Sequence, residues 1–505
     1  MSTSPAYFYS RDTRITHWRE LLDFMRWPEW VQRSAAIGAL LGFGAFWGIA
    51  VAVAGVNAAL ICVSLFACLF CLRDFRAGVA LLVVLMPIAQ SYAFPHEMFG
   101  ITGLNPLNLL IATTMLAFLM RRAGEKHAPK VVPRPLVWAF IVPLAISAFI
   151  GMGHVQEIPS IFHELDLIFF DNWSGYLRDM YAKPMLFVVY SILVAAAVAR
   201  SERPERFIAP MVVSVFVMAG LAVVFVALSG MSLSQMAGTY ARQFLSALGM
   251  HANDLGRLYA TAYALLLFTW DRSERIGQKT LLMFAMGVVV IALALTFSRG
   301  AFLGFILVNL IYLVVRRHVK TIAMAVLLVP VALYFMPGAF WYRITMGFGS
   351  GLNELTAGRT GDIWEPILPE LFNNPVFGSG LGSIMWSRAM IDGRLWQVSH
   401  PHNAYLQALM DGGVLGLVLL LGFWIWAWRG FRREARNEAH VPELRGFFEG
   451  AAAGLLAFLM AGVAGSSLRP DAAQAFLWLA LGVLIGIKAK HAALAATMQR
   501  MKKGK

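Results

Sequence analysis

The chain has 505 residues, of which 59% are hydrophobic and 14% are charged, and its formal net charge is +14. Soluble domains carry about 25% charged residues, so this composition excludes an ordinary soluble protein. The basic residues are scattered over short loops between long apolar stretches, which argues against nucleic-acid binding and favours a protein that crosses a membrane many times.

The apolar stretches predict an all-α polytopic membrane protein with about 14 transmembrane helices (12–14, because two stretches are short). Stretches of about 20 residues are long enough to cross a hydrocarbon core about 30 Å thick. We expect no cleavable signal peptide, since the first long apolar run begins near Ser34. Three cysteines lie in one apolar stretch, where neither a disulfide nor a zinc site is expected: Cys62, Cys68 and Cys71. The predicted spans are residues 35–54, 56–72, 77–94, 104–120, 135–152, 185–199, 207–229, 255–270, 279–297, 300–315, 319–337, 403–428, 446–466 and 473–489.

The distribution of lysine and arginine predicts the orientation. With an even number of spans, 32 of the 42 basic residues fall on the side of the two termini, which we therefore expect to be cytoplasmic. The predicted organisation is a basic segment 1–34, one helical membrane domain 35–489 and a basic tail 490–505. Two long outer loops, 153–184 and 338–402, are expected to act as lids or interfacial helices on the outer leaflet, although the first could be a simple connection.

Ten cations lie on the outer side, where arginine is normally rare. Arg299 is the most informative, because Ser298-Arg299-Gly300 forms a very short turn between two apolar helices. A guanidinium at the membrane surface needs an anionic partner, and phosphate fits its paired hydrogen-bond donors. The alternative is an arginine that anchors a helix end by snorkelling. The outer cations are Arg178, Lys183, Arg242, Arg257, Arg299, Arg343, Arg359, Arg388, Arg394 and Arg469.

The segment 240–257 carries a second set of polar residues on the outer side. Arg242 is expected to contribute to an anion site, and His251 lies close to it in sequence. Asn253 or Asp254 could instead cap the helix that follows, which would give them a purely structural role.

The outer loop 338–402 is the richest in residues that could take part in chemistry. Arg359 follows a glycine, and His400 and His402 flank a proline just before the next span. A histidine at this place can accept or position a proton near neutral pH, as activation of a hydroxyl nucleophile requires. A metal site is the less favoured interpretation, because no carboxylate or cysteine stands at a suitable spacing. A structural role for His402 is a further alternative.

Five motifs together resemble those of the bacterial O-antigen ligases and related polysaccharide polymerases. The histidine motif is His402-Asn403, followed by nine residues and then Gly413-Val414-Leu415-Gly416. The other landmarks occur in the same order as in that family and cover residues 240–420. They are Arg242 with His251 and Asn253, then Ser298-Arg299-Gly300, Gly358-Arg359-x-x-x-Ile363-Trp364 and Asn374-Pro375-x-x-Gly378-x-Gly380.

The resemblance implies a GT-C-type glycosyltransferase of the bacterial inner membrane, without a metal or other cofactor. Its donor would be a glycan on undecaprenyl diphosphate, and its acceptor a hydroxyl of lipid A–core or of another glycan at the periplasmic face. Arg242 and Arg299 would hold the diphosphate, Arg359 would support the donor site, and His402 would orient or deprotonate the acceptor. The remaining residues expected at the substrate site are Arg343, His400, Asn403, His251 and Asn253.

Two other classes of function remain open. A flippase or transporter of lipid-linked glycans would need cations along a path through the bundle, whereas the predicted spans are nearly free of charge. A scaffolding subunit of a polysaccharide export complex is the third possibility. The sequence does not distinguish a ligase from a polymerase or from an enzyme that glycosylates proteins.

Overall fold

The computed structural model describes residues 29–503 except 93, 126–127, 239, 318–321, 324–325, 328–329, 332–333 and 466. Thirteen long helices form the described part of the molecule. They are α1 Glu29–Ala54, α2 Val56–Arg73, α3 Phe75–Ile88, α4 Pro106–Ala123, α5 Arg134–Met152, α6 Trp173–Ala199, α7 Pro204–Leu228, α8 Ala252–Arg272, α9 Ile276–Leu295, α10 Arg299–Arg316, α11 Ala404–Ala435, α12 Pro442–Ala464 and α13 Ala475–Lys503.

The described helices define an all-α polytopic membrane protein. Ten of them are long and apolar enough to cross a membrane. The other three are the 14-residue α3, α4 and α8. Helix α8 has polar residues at both ends, but its centre from Leu255 to Thr269 is buried, so it forms the core of the bundle.

Glycines bring the central helices into close contact. A Cβ atom on Gly450 of α12 would lie 2.5 Å from the carbonyl oxygen of Ala264 in α8, and one on Gly446 would lie 2.3 Å from that of Phe268. Glycines also allow α6 and α13 to pack closely, because a Cβ atom on Gly482 or Gly486 of α13 would collide with the α6 backbone. Small residues at helix crossings allow the two backbones to pack closely inside a membrane. These contacts fix the positions of the central helices relative to one another.

Short elements occur mostly in the connections at one end of the bundle. The loops 153–172, 229–251, 335–403 and 465–471 meet there, and we call this the loop-bearing end. The only strands described form a two-residue hairpin, Glu97–Met98 with Ile101–Thr102. The short helices are Val155–Glu157, Ile161–Glu164, Leu233–Met236, Tyr240–Leu248, Gly338–Thr345, Leu352–Leu355, Thr360–Trp364, Glu365–Ile367, Leu368–Phe372, Ser383–Trp386 and Arg388–Ile391.

The predicted spans agree with the described helices at thirteen positions. About half of the span predicted at 319–337 lies outside the described residues, so the total of fourteen remains a prediction. The N-terminal segment 1–34 is described only from Glu29, which already belongs to α1. At the other end, the tail predicted from residue 490 continues the last helix as far as Lys503.

Helix α6 begins at Trp173, well before the predicted start at residue 185, so the loop predicted at 153–184 ends earlier. The first part of this helix carries charged residues and a proline. In the structure Asp179 pairs with Arg178 at 2.9 Å and with Lys183 at 2.7 Å. A π-helical turn, Arg178–Ala182, precedes Pro184 and accommodates its missing N–H within a continuous helix.

Candidate functional site

The start of α10 places Arg299 at the loop-bearing end. The Ser298 hydroxyl caps the helix by accepting from the Ala301 N–H at 3.4 Å, and it donates to Asn253 Oδ1 at 3.0 Å. Arg299 then follows at the first helical position, and its Nη1 donates to the Met346 carbonyl at 3.0 Å. The N-terminus of a helix attracts anions, so the helix dipole adds to the positive charge of this side chain.

Arg343 approaches the same place from the short helix Gly338–Thr345. Its side chain is buried, and Nε donates to the Phe297 carbonyl at 3.4 Å. The Phe297 ring stacks on Phe340 with ring centres 4.5 Å apart, which fixes the short helix against the end of α9. Burial, together with the charge of Arg299, lowers the pKa of Arg343.

Arg359 is the third member of this group. It follows Gly358, whose φ of +84° turns the chain into the helix Thr360–Trp364. Burial, and to a smaller extent the neighbouring charges of Arg299 and Arg343, lower the pKa of Arg359 to about 10. Three guanidiniums therefore lie within electrostatic range of one another in a partly desolvated place. We call these three residues the arginine cluster.

The arginine cluster differs from most other cations predicted on the outer side. Among the described residues, none of its members forms an ion pair with a carboxylate, whereas four of the other cations do. Like charges held together out of water are costly unless an anion binds them. The cluster is thus suited to bind a multiply charged anion. The four cations with carboxylate partners are Arg178, Lys183, Arg257 and Arg394.

His400 and His402 lie side by side just before α11. Their ring centres are 4.2 Å apart, and the Trp364 indole donates to the carbonyl of the intervening Pro401 at 2.8 Å. His402 has a φ of +51°, an uncommon conformation that turns the chain sharply before the helix. Asn403 caps α11, because its Oδ1 accepts from the N–H groups of Tyr405 and Leu406 at 3.1 Å. The motif therefore has a rigid backbone.

His400 is a neutral hydrogen-bonding group. Its pKa is lowered to about 4, mainly by burial; Asp254 opposes this shift, while His251, Arg469 and Arg359 contribute to it. Its Nδ1 atom is buried and has no hydrogen-bond partner among the described residues. Arg359 is the weakest of these influences, and it places one charge of the arginine cluster within electrostatic range of His400.

His251 caps α8, so the alternative that Asn253 or Asp254 caps this helix is wrong. Its Nδ1 accepts from the Asn253 N–H at 3.2 Å, and a ring nitrogen can replace a carboxylate in this role. The Asn253 side chain instead accepts from Ser298, which joins the start of α8 to the start of α10. Asn253 thereby helps to position Arg299, and direct binding of substrate by Asn253 or Asn403 stays a prediction.

Arg242 belongs to the 3-10 helix Tyr240–Leu248, so its backbone reaches the loop-bearing end. Its side chain lies outside the described part of the chain, and its contact with an anion stays a prediction. Arg257 has a structural role: it is 1% exposed, its Nη2 donates to the Ser467 carbonyl at 2.9 Å, and it lies over the Phe458 ring at 4.1 Å.

A cavity of about 510 Å³ lies beside the histidines, and we call it the central cavity. His251, His400, Asp254, Arg469 and Asp471 are among its lining residues. Asp471 was missed in the sequence; its Oδ1 is buried without a described hydrogen-bond partner, and burial raises its pKa to about 7. The only sequence signal was a carboxylate beside Arg469-Pro470 in the last outer turn.

The glycine-rich motif 374–380 fits into a break in α11. Gly413 has φ 64° and ψ −169° inside this helix, and the N–H groups of Val414 and Leu415 donate to Pro375 and Val376 instead of to their own helix. A Cβ atom on Gly413 would lie 2.3 Å from the Val376 carbonyl, and one on Gly378 would lie 2.5 Å from the Gly412 nitrogen. The backbone of the glycine-rich motif 374–380 therefore packs directly against the backbone of residues 412–415 in α11. This contact holds α11, and the histidine loop before it, against the loop that carries the glycines.

The fold and this site together define a polytopic α-helical membrane protein with an arginine cluster and paired histidines at one end. Residues 281–421 match the family model described as Wzy_C, O-antigen ligase, which agrees with the resemblance that the motifs of this segment indicated. The matched segment includes the arginine cluster and both histidines, but not Arg242, His251 or Asp471. A comparison with curated protein sequences finds no match.

Proposed function

We propose that this protein is a metal-independent GT-C-type glycosyltransferase that moves a glycan from undecaprenyl diphosphate to an acceptor hydroxyl. The reaction would take place at the periplasmic face of the bacterial inner membrane, as for an O-antigen ligase or polymerase. The observation that carries the proposal is the arginine cluster, whose three guanidiniums have no carboxylate partner in the described structure. A diphosphate supplies the negative charge that this group of side chains needs.

The leaving group explains how the cluster would catalyse the reaction. Breaking the bond between the anomeric carbon and the diphosphate oxygen builds negative charge on that oxygen. Guanidiniums already in place stabilise this charge without having to reorganise, and loss of one such donor costs about 2.7–4 kcal/mol, or about 100- to 1000-fold in rate. Arg299, Arg343 and Arg359 would share this task, with Arg242 as a further predicted contributor.

The histidines would act on the acceptor. His402 would orient or deprotonate the attacking hydroxyl, as the family resemblance implies. His400 lies 4.2 Å from it between ring centres and is neutral, so it can accept a hydrogen bond from the sugar. Asp471, which lines the central cavity, would accept a hydrogen bond from another hydroxyl group of the sugar. Attack by the hydroxyl opposite the departing diphosphate would invert the anomeric centre in a single displacement.

The acceptor determines which class of transferase the protein is. Lipid A–core would make the protein a ligase, a second lipid-linked glycan would make it a polymerase, and a serine or threonine hydroxyl would make it a protein glycosyltransferase. The central cavity of about 510 Å³ accommodates a small ligand such as the accepting end of a glycan.

The test is a transfer assay with purified protein in lipid nanodiscs. Donor glycan lipid and acceptor would be extracted from the parent strain, and both the transferred glycan and the released undecaprenyl diphosphate would be measured by mass spectrometry. Arg343→Ala should reduce both products about 100- to 1000-fold. Arg394→Ala is the matched control, because Arg394 is exposed and pairs with Asp392. Full transfer by the Arg343 variant, or no transfer by the wild type, would contradict the proposal.

A further inference from the structure

A second cavity, of about 300 Å³, lies at the loop-bearing end and contains none of the arginine cluster. We call it the outer cavity. Its volume is at the lower limit for small-ligand sites, which are about 300–1,000 Å³. Its lining includes the rings of His154 and Trp386, the carboxylates of Glu157 and Glu370, and the guanidinium of Arg388.

Two stacked rings form one wall of the outer cavity. The His154 and Trp386 rings are 5.5 Å apart at their centres and nearly parallel, with an angle of 10°. Trp386 is almost fully buried, whereas the His154 side chain is 38% exposed and so forms the accessible surface of the stack. His154 Nδ1 lies 2.9 Å from Glu157 Oε1. Because a carboxylate can only accept, Nδ1 carries the hydrogen and Nε2 of the neutral ring is left to accept one from a ligand.

Hydrogen-bonding groups of both kinds surround this wall. Glu370 already accepts from the Ala389 N–H and from Asn373, and Asn374 donates to Ser379, so these side chains are held in place. The Trp386 Nε1 atom is buried and has no acceptor among the described residues. A ligand rich in hydroxyl groups can both donate to the carboxylates and accept from such N–H groups.

The charge of the outer cavity is opposite to that of the arginine cluster. It contains two carboxylates, Glu157 and Glu370, and one guanidinium, Arg388. A phosphate group would meet net repulsion here, whereas a neutral sugar ring would not. An aromatic surface with carboxylate and amide groups around it suits the apolar face and the hydroxyl rim of a sugar.

The outer cavity is also next to the central cavity. The 3-10 helix Ser383–Trp386 separates them: Met385 lines the central cavity, while Ser383 and Trp386 line the outer one. Asp411 of α11 fixes this wall by accepting from the Gly382 N–H at 2.9 Å and from the Ser383 hydroxyl at 3.3 Å. When one sugar of a glycan occupies the central cavity, the next sugars along the same glycan therefore lie close to the outer cavity.

We propose that the outer cavity is a saccharide-binding subsite that holds an uncharged sugar of the glycan, away from the bond that reacts. This inference rests on the proposed transferase function, because that function supplies the glycan. The subsite would determine which glycan is used, and it would add affinity without taking part in the chemical step.

Direct binding tests the inference. Saturation-transfer NMR on the nanodisc protein would use two phosphate-free probes: the oligosaccharide released by mild acid from the lipid-linked donor, and the dephosphorylated core oligosaccharide from the same strain. His154→Ala should weaken binding of one probe about tenfold, and Glu157→Gln should act in the same direction. The probe that responds identifies the donor or the acceptor as the source of the sugar. Asp392→Asn is the control, since it removes an exposed carboxylate of the same loop.

Transfer measurements separate this inference from the proposed function. Arg299→Ala should abolish transfer and leave binding of the phosphate-free probe unchanged. If Arg299→Ala still transfers glycan, the proposed function fails, and the binding data still decide the subsite. If wild-type protein binds neither probe, or if His154→Ala and Glu157→Gln both bind as tightly as wild type, the outer cavity is not a saccharide subsite. Glu157→Gln changes an exposed side chain, so loss of folding cannot account for its effect.

Discussion

Replacing Arg359 by glutamine should remove activity while making the folded protein no less stable. Burial and the other two arginines lower the pKa of Arg359 from its ordinary 12.5 to about 10. Since each pKa unit corresponds to about 1.36 kcal/mol, keeping this guanidinium charged at neutral pH costs roughly 3 kcal/mol. Glutamine avoids this cost but loses the packing of the arginine stem, so the net gain in the free energy of unfolding should be smaller. The same change removes one donor to the diphosphate, which costs about 100- to 1000-fold in rate.

Two measurements on the same nanodisc preparation check this prediction. Thermal unfolding should show a midpoint for Arg359→Gln equal to or above that of wild type, while the transfer rate falls by about two orders of magnitude or more. A structural arginine would give the opposite pattern, with a lower midpoint and activity lost only in proportion to unfolding. That pattern, or unchanged activity, would refute the assignment of Arg359 to an anion site. Arg394→Gln should change neither quantity.

Three further predictions concern stability. The folded-state pKa of Asp471 is about 7, above its ordinary 3.8, so ionisation of this carboxyl destabilises the fold. At pH values above 7, Asp471→Asn should therefore raise the thermal unfolding midpoint, and the difference from wild type should disappear below pH 4. Equal unfolding midpoints of the variant and the wild type at all pH values would contradict the burial of Asp471. Gly413→Ala should destabilise by more than about 1–3 kcal/mol, because strain and a backbone collision act together, whereas Gly416→Ala, with open space around it, should be tolerated. Glu449→Gln should destabilise the protein by less than the about 3–5 kcal/mol of an unpaired buried charge, because Asp271 remains 2.6 Å from Arg316; an unchanged free energy of unfolding in chemical denaturation would contradict a stabilising role of Glu449.

Much of the fold was predictable because membrane spans have a strong compositional signal. Long apolar runs located thirteen helices, and the errors occurred where charges and proline lie inside a helix. At α6, Asp179 neutralises Arg178 and Lys183, and a π-turn accommodates Pro184. Such pairing depends on three-dimensional contacts, so a count of charges along the sequence places the boundary too late.

The site was predictable only in part. Short motifs pointed to Arg299, Arg359 and the histidines as candidates, whereas Arg343 was predicted only as one of the outer cations, which are costly on the face where the sequence predicts them. Asp471 had no such signal: its importance follows from burial beside the central cavity, and that depends on the packing of α8, α11 and α13. The motif glycines were found, but their role was not. Gly378 and Gly413 permit a close backbone contact that no local pattern describes.

The most direct test of the account is whole-cell glycan profiling of a strain that lacks this gene. The strain would be complemented with wild type, Arg299→Ala, His402→Ala or the control Arg394→Ala, with equal membrane levels of each protein. The account predicts that long-chain glycan disappears in the deletion strain and returns only with wild type and the control, and the missing product identifies the acceptor. Full complementation by both Arg299→Ala and His402→Ala would contradict catalysis at this site and would favour a transporter or a scaffold.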